Sequence, residues 1–98
     1  MDILDWLATW YEAQCDGEWE EQFGPAITTL DNPGWSVRID LAGTDCDGRK
    51  LERVAHNLDH DRDWWTCWTE DNVFHGVGGP RQLRALLEAF RDWTTGSR

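Results

Sequence analysis

The chain opens on an amphipathic pattern. Ile3, Leu4, Leu7, Trp10 and Tyr11 recur at helical spacing with acidic residues between them, which predicts a helix of three to four turns. Asp2 stands where a cap belongs, and Asp5 falls in the first turn, where the helix dipole favours negative charge. The end is expected near Gln14–Gly17, with Gly17 free to take a left-handed C-cap conformation. A link from Glu18 to Pro25 leads to Ile27-Thr28-Thr29-Leu30, a β-prone strand. Asp31-Asn32-Pro33-Gly34 reads as a type II turn, with Gly34 taking the positive φ. Trp35, Val37, Ile39 and Leu41 then alternate with Ser36, Arg38 and Asp40. This is the clearest period-two pattern in the chain and predicts a half-buried strand, hairpinned to the one before.

The pattern continues in shorter pieces. Gly43 to Lys50 reads as a turn and Leu51 to Leu58 as a third strand. A charged loop, Asp59 to Asp63, precedes a fourth strand from Trp64 to Glu70. Asp71-Asn72 is a hairpin turn into a short fifth strand, Val73 to Gly76. Gly78-Gly79-Pro80 breaks the pattern, and Leu83, Leu86, Leu87, Phe90 and Trp93 form the apolar face of a last helix. Thr94 to Arg98 reads as a polar tail. The order predicts one α+β domain over residues 1–98. It comprises an N-terminal helix, an antiparallel β-meander of four to five strands and a C-terminal helix, with both helices packed on one sheet face.

Composition sharpens this picture in two places. The chain has eight tryptophans in 98 residues. A domain of this size buries about two-thirds of its unfolded surface, so some of these rings are expected outside, where Trp anchors protein contacts. The formal net charge is −10, and it is uneven. No Lys or Arg occurs before Arg38, whereas Asp2, Asp5, Glu12, Asp16, Glu18, Glu20, Glu21 and Asp31 are all acidic. Such a field keeps a chain soluble, repels nucleic acid and anionic membrane, and steers basic partners inward.

The three cysteines, Cys15, Cys46 and Cys67, are odd in number and form no CxxC pair. Neither a disulfide framework nor a zinc site is expected. The N-terminus has no basic and apolar leader, and no run approaches the ~20 apolar residues of a membrane span, so a cytoplasmic setting with reduced thiols is expected.

The remaining chemistry is thin. His56 with Asp59-His60-Asp61 matches no common metal-ligand spacing, so no metal or cofactor is expected. Gly76-Val77-Gly78-Gly79 before a helix lacks the Lys-Ser/Thr of a phosphate-binding loop. Cys15 sits near a helix C-terminus among acids, which disfavours a thiolate. On the fourth strand Trp65, Cys67 and Thr69 share one face, which places Trp68 on the other, with Trp64 beside it. Trp19 lies among carboxylates, a composition suited to Lys and Arg. The residues leave open a small thiol-dependent enzyme, such as a sulfurtransferase, and a peptide- or ligand-binding module using Trp64 and Trp68.

Several words along the chain resemble the immunity protein 53 family. They are Trp10-Tyr11, then Gln14-Cys15-Asp16-Gly17-Glu18-Trp19-Glu20, then Thr29-Leu30-Asp31-Asn32-Pro33-Gly34-Trp35, Gly78-Gly79-Pro80 and Phe90-Arg91-Asp92-Trp93. Glu21 stands where the family pattern favours His. The resemblance implies a small bacterial cytoplasmic protein that binds a polymorphic toxin and blocks it without catalysis. Its partner would be a cognate toxin domain, with no nucleic acid or membrane involved. The first contact surface expected is Asp16, Glu18, Trp19, Glu20 and Glu21. Asp31, Asn32 and Trp35 come second, because their turn is expected near the acidic link, and Trp64 and Trp68 offer exposed rings.

Overall fold

In the computed structural model, which describes residues 1–96, the first helix, α1, runs Ile3–Gln14. Asp2 caps it, its carboxylate accepting the Asp5 backbone N–H at 2.8 Å. Ile3, Leu7 and Trp10 turn inward, whereas Leu4 and Tyr11 stay 62% and 37% exposed. The helix closes at Cys15 in extended backbone, and Gly17 takes the left-handed conformation two residues later, at φ 96°. The expected link holds a short second helix, α2 (Trp19–Gln22).

Five strands follow, β1 (Pro25–Leu30), β2 (Gly34–Asp40), β3 (Val54–His56), β4 (Trp65–Glu70) and β5 (Val73–Gly78), and then α3 (Leu83–Thr94). The last two residues of the expected polar tail lie outside the described residues. Every strand pair is antiparallel, and the order across the sheet is β1-β2-β5-β4-β3. One connection therefore differs from a simple meander: the segment between β2 and β3 crosses to the far edge, and β5 returns to lie beside β2. The strands sort by burial, since β2 and β5 supply Val37, Ile39 and Phe74 at 0% exposure while β3 is exposed throughout. The third strand is also shorter than its sequence predicts. Only Val54–His56 pairs with β4, while Leu51 is tied through the Thr69 N–H and hydroxyl.

The two hairpin turns use different chemistry. Asp71 and Asn72 both hold positive φ, 55° and 62°, as a two-residue type I′ turn requires. Between β1 and β2 the turn is not the type II turn expected. The Asn32–Pro33 peptide is cis, and Gly34 is the first residue of β2, without a positive φ. Gly34 is needed for proximity instead, because a Cβ there would run into the Gly78 carbonyl oxygen of β5.

The register sets two faces. Trp35, Val37 and Ile39 pair with Gly78, Gly76 and Phe74, which in turn pair with Trp65, Cys67 and Thr69, so all share one face. α3 covers that face with Leu86 packed over Gly76, where a Cβ would stand only 3.1 Å from the Leu86 side chain. Phe90 joins the layers: its ring meets Trp10 of α1 edge-on at 5.0 Å and Phe74 of β5 at 5.0 Å. Both helices thus pack on one face. Arg38, His75 and Trp68, mutually in register, occupy the other.

Candidate functional site

The segment from Cys15 to Glu20 is built by its own carboxylates. The Asp16 carboxylate accepts the Glu18 and Trp19 N–H groups at 3.0 and 2.9 Å. Glu20 reaches back and accepts the Asp16 and Gly17 N–H groups at 3.0 and 2.9 Å. The exchange is reciprocal in the manner of a capping box: it ties down three N–H groups before α2 and the first one of the helix, that of Trp19. The Trp19 N–H, and after it the Glu18 N–H, holds the Asp16 carboxyl below its ordinary 3.8.

This loop seats Trp19 inward. The ring is only 6% exposed, and its indole N–H donates to the Ala42 carbonyl at 2.7 Å. It contacts Trp10, Tyr11 and Phe23 at centroid distances of 6.3, 6.0 and 6.3 Å. The sequence-level expectation of a surface ring for Lys or Arg is therefore corrected: Trp19 is a core residue, because α2 turns it away from its flanking carboxylates. Glu18 and Glu21 remain exposed.

The other expected contacts are not gathered at this loop. Asp31 and Asn32 are exposed at the tip of the β1–β2 hairpin. β1 spans six residues, so at ~3.4 Å per residue the tip stands about 20 Å from the α2 end. The turn is thus not beside the acidic link. Trp35 is half-buried, its indole N–H donating to the Pro80 carbonyl at 3.0 Å. Trp64 is half-buried, its carbonyl accepting the Gly79 N–H at 2.9 Å. Trp68 lies half-buried on the helix-free face, stacked on His75 at 5.3 Å with the Arg53 guanidinium 4.0 Å above its ring.

A different surface brings apolar groups together. Leu4, Ala8 and Tyr11 of α1 face Phe23 and Pro25 across a hollow of about 350 Å³. The sequence held one signal of it: the apolar stripe of α1, with Leu4 and Tyr11 added to Ile3, Leu7 and Trp10, is wider than the core needs. The Asp40 carboxylate accepts the Gly24 N–H at 3.1 Å beside this hollow. The Tyr11 phenol is pushed above its ordinary 10.0, foremost by Cys15, with burial and the Glu20 charge contributing.

Residues 4–95 match the model of a family described as immunity protein 53. The chain belongs to the immunity protein 53 family. Comparisons with curated proteins and with solved structures return no match. Membership carries an immunity role and implies a protein partner, a toxin.

In this immunity protein 53 chain the groups with potential chemistry are otherwise engaged. Burial pushes the Cys67 thiol up to about 11, and burial foremost, with the Asp45 charge, raises Cys46. The Cys15 thiol donates to the Tyr11 carbonyl at 3.3 Å. His56 stacks on Trp65 at 5.7 Å, and the His60 Nδ1 accepts the Arg62 and Asp63 N–H groups, both at 3.0 Å. The glycine run before α3 is a packing device, since a Cβ at Gly79 would run into the Arg62 carbonyl. Among the described residues no cluster of three or more His, Cys, Asp or Glu is placed to hold a metal ion. No helix among them is long and apolar enough to cross a membrane.

Proposed function

We propose that this protein binds a cognate bacterial polymorphic toxin in the cytoplasm and neutralises it by non-covalent occlusion. The family match over residues 4–95 carries the reading. Occlusion needs no catalytic residue and no cofactor. It needs a surface that meets the toxin quickly and holds it, and the first third of this chain supplies an unbroken negative field, with no Lys or Arg before Arg38. In this reading Glu18 and Glu21 steer the toxin, with Asp16 and Glu20 adding charge from within the loop. Asp31, Asn32 and Trp35 at the hairpin, Trp64 just before β4 and Trp68 on it are further contact candidates. Trp19 acts from beneath, by shaping the loop.

The test is co-expression with the C-terminal toxin domain encoded beside this gene. Protection of the cells and co-purification of a stoichiometric complex are expected. Glu18→Lys with Glu21→Lys should slow association, and wild-type association should weaken as salt rises. A soluble toxin domain that neither binds nor is inhibited would overturn the proposal. Salt-independent association, with an on-rate untouched by the charge reversal, would remove the steering role.

A further inference from the structure

We infer that the hollow between α1 and the α2–β1 link anchors the toxin, and that its occupant is a basic segment carrying one or two large apolar side chains. This inference rests on the toxin-binding reading and adds the place and chemistry of contact. Three observations carry it.

The first is exposure. Leu4, Tyr11 and Phe23 are 62%, 37% and 36% exposed and line one hollow with Ala8 and Pro25. Single exposed apolar residues are ordinary, whereas a contiguous apolar patch marks an interaction surface. The volume, about 350 Å³, lies near the lower end of ligand pockets, which run about 300–1,000 Å³.

The second is charge. Leu4, Ala8 and Glu12 fall on one i, i+4 row of α1, and Asp5 lies at i, i+3 from Ala8. Glu20 acts on Tyr11, Asp40 holds the Gly24 N–H, and Glu21 stands exposed on α2. Carboxylates therefore border the apolar floor on both sides. Arg84 lines a separate hollow, across Leu4, with Leu83 and Leu87. An acidic rim around an apolar floor disfavours a second copy of this acidic chain and favours a basic partner, with the rings desolvated at the centre and the ion pairs at the edge.

The third is support. Tyr11 and Phe23 both rest on Trp19, which the Ala42 carbonyl and the core fix in place. A preformed floor loses little conformational freedom when it is covered.

Ala8→Arg fills the hollow with a bulky cation, and Leu4→Ser removes its most exposed wall. Both positions are solvent-exposed. Binding to the neighbouring toxin domain is expected to weaken at least ~30-fold for Ala8→Arg, the scale of a central contact, and by about tenfold for Leu4→Ser. Asp61→Asn, in the exposed loop between β3 and β4, is expected to bind like wild type. A p-benzoylphenylalanine in place of Leu4 should photo-crosslink to a toxin peptide rich in Lys or Arg. If wild type itself fails to bind the toxin domain, the functional reading fails. If wild type binds and the two variants bind equally well, the anchoring site is overturned while the function stands. A crosslink to an acidic toxin peptide, or to a second copy of this chain, overturns it as well. Should Ala8→Arg lower the unfolding midpoint, Leu4→Ser and the crosslink decide.

Discussion

Replacing Trp19 separates a surface ring from a core ring. A buried aromatic side chain removes about 150–250 Å² from water, and at ~25 cal/mol per Å² this is worth about 4–6 kcal/mol as an upper estimate. Measured Trp or Phe to Ala changes in cores cost about 3–5 kcal/mol. Trp19 is 6% exposed and touches three other aromatic rings, so Trp19→Ala belongs in that range. It also strands the Ala42 carbonyl, which now accepts the indole N–H at 2.7 Å. Trp19→Phe keeps most of the apolar area and loses that hydrogen bond, worth about 0.5–1.5 kcal/mol, plus part of the ring, for a total near 2 kcal/mol. A domain of this size has about 5–15 kcal/mol in all. Trp19→Phe should therefore stay folded with a lower midpoint, while Trp19→Ala falls to the edge of stability. Urea unfolding followed by circular dichroism gives both midpoints. Should Trp19→Ala unfold at the wild-type urea concentration with the wild-type slope, the ring is not a core group and the account of this loop is wrong.

Three further outcomes follow from the same geometry. Gly34→Ala should lose about 1–3 kcal/mol or more of stability, because the new Cβ meets a backbone oxygen of β5 that cannot swing aside; a wild-type melting temperature would refute the close approach. Asp16 and Asp47 both titrate below the ordinary 3.8, each held foremost by a backbone N–H, that of Trp19 and that of Gly43. Because the folded values are depressed, their stabilisation is complete above about 3.8 and is lost as pH falls through the folded values. The melting temperature should fall in that acid range, less steeply in Asp16→Asn with Asp47→Asn, and identical pH profiles would refute the assignment. Native alkylation at pH 8 should modify Cys15 first: Cys67, at about 11, is thiolate at about one part in a thousand, and Cys46 is fully buried. Equal rates at all three thiols would contradict the buried placement.

What could be read from the sequence depended on whether the deciding interaction was local. The α1 cap by Asp2 lies within one turn of the residues it controls, and the I′ turn at Asp71-Asn72 lies within two. The alternation from Trp35 to Leu41 needs only a covered face. The crossing between β2 and β3 depends on pairing β2 with β5, from Trp35↔Gly78 to Asp40↔Val73, and no local pattern encodes that choice. The four residues of α2 are too few to show a period. Trp19 was misplaced because its neighbours in sequence are acids. Successive residues on a helix point about 100° apart, so the acids Glu18 and Glu20 beside it in sequence say little about the side of α2 that faces Trp10. Trp68 was placed correctly on the face opposite Cys67, because a strand has only two sides.

The acidic segment then divides by what each carboxylate touches. Asp16 and Glu20 each bind two backbone N–H groups, so replacing them alters the loop that seats Trp19 and, through it, the ledge under Tyr11 and Phe23. Glu18 and Glu21 are exposed and contribute mainly field. Loss of binding in an Asp16 or Glu20 variant is therefore ambiguous on its own, since the hollow can lose its shape before any contact is lost. Loss in a Glu18 or Glu21 variant with an unchanged unfolding midpoint is an electrostatic effect, and it belongs in the association rate and its salt dependence. The motif thus bears on the hollow by two separable routes. Only a comparison that holds stability fixed assigns a given carboxylate to one of them.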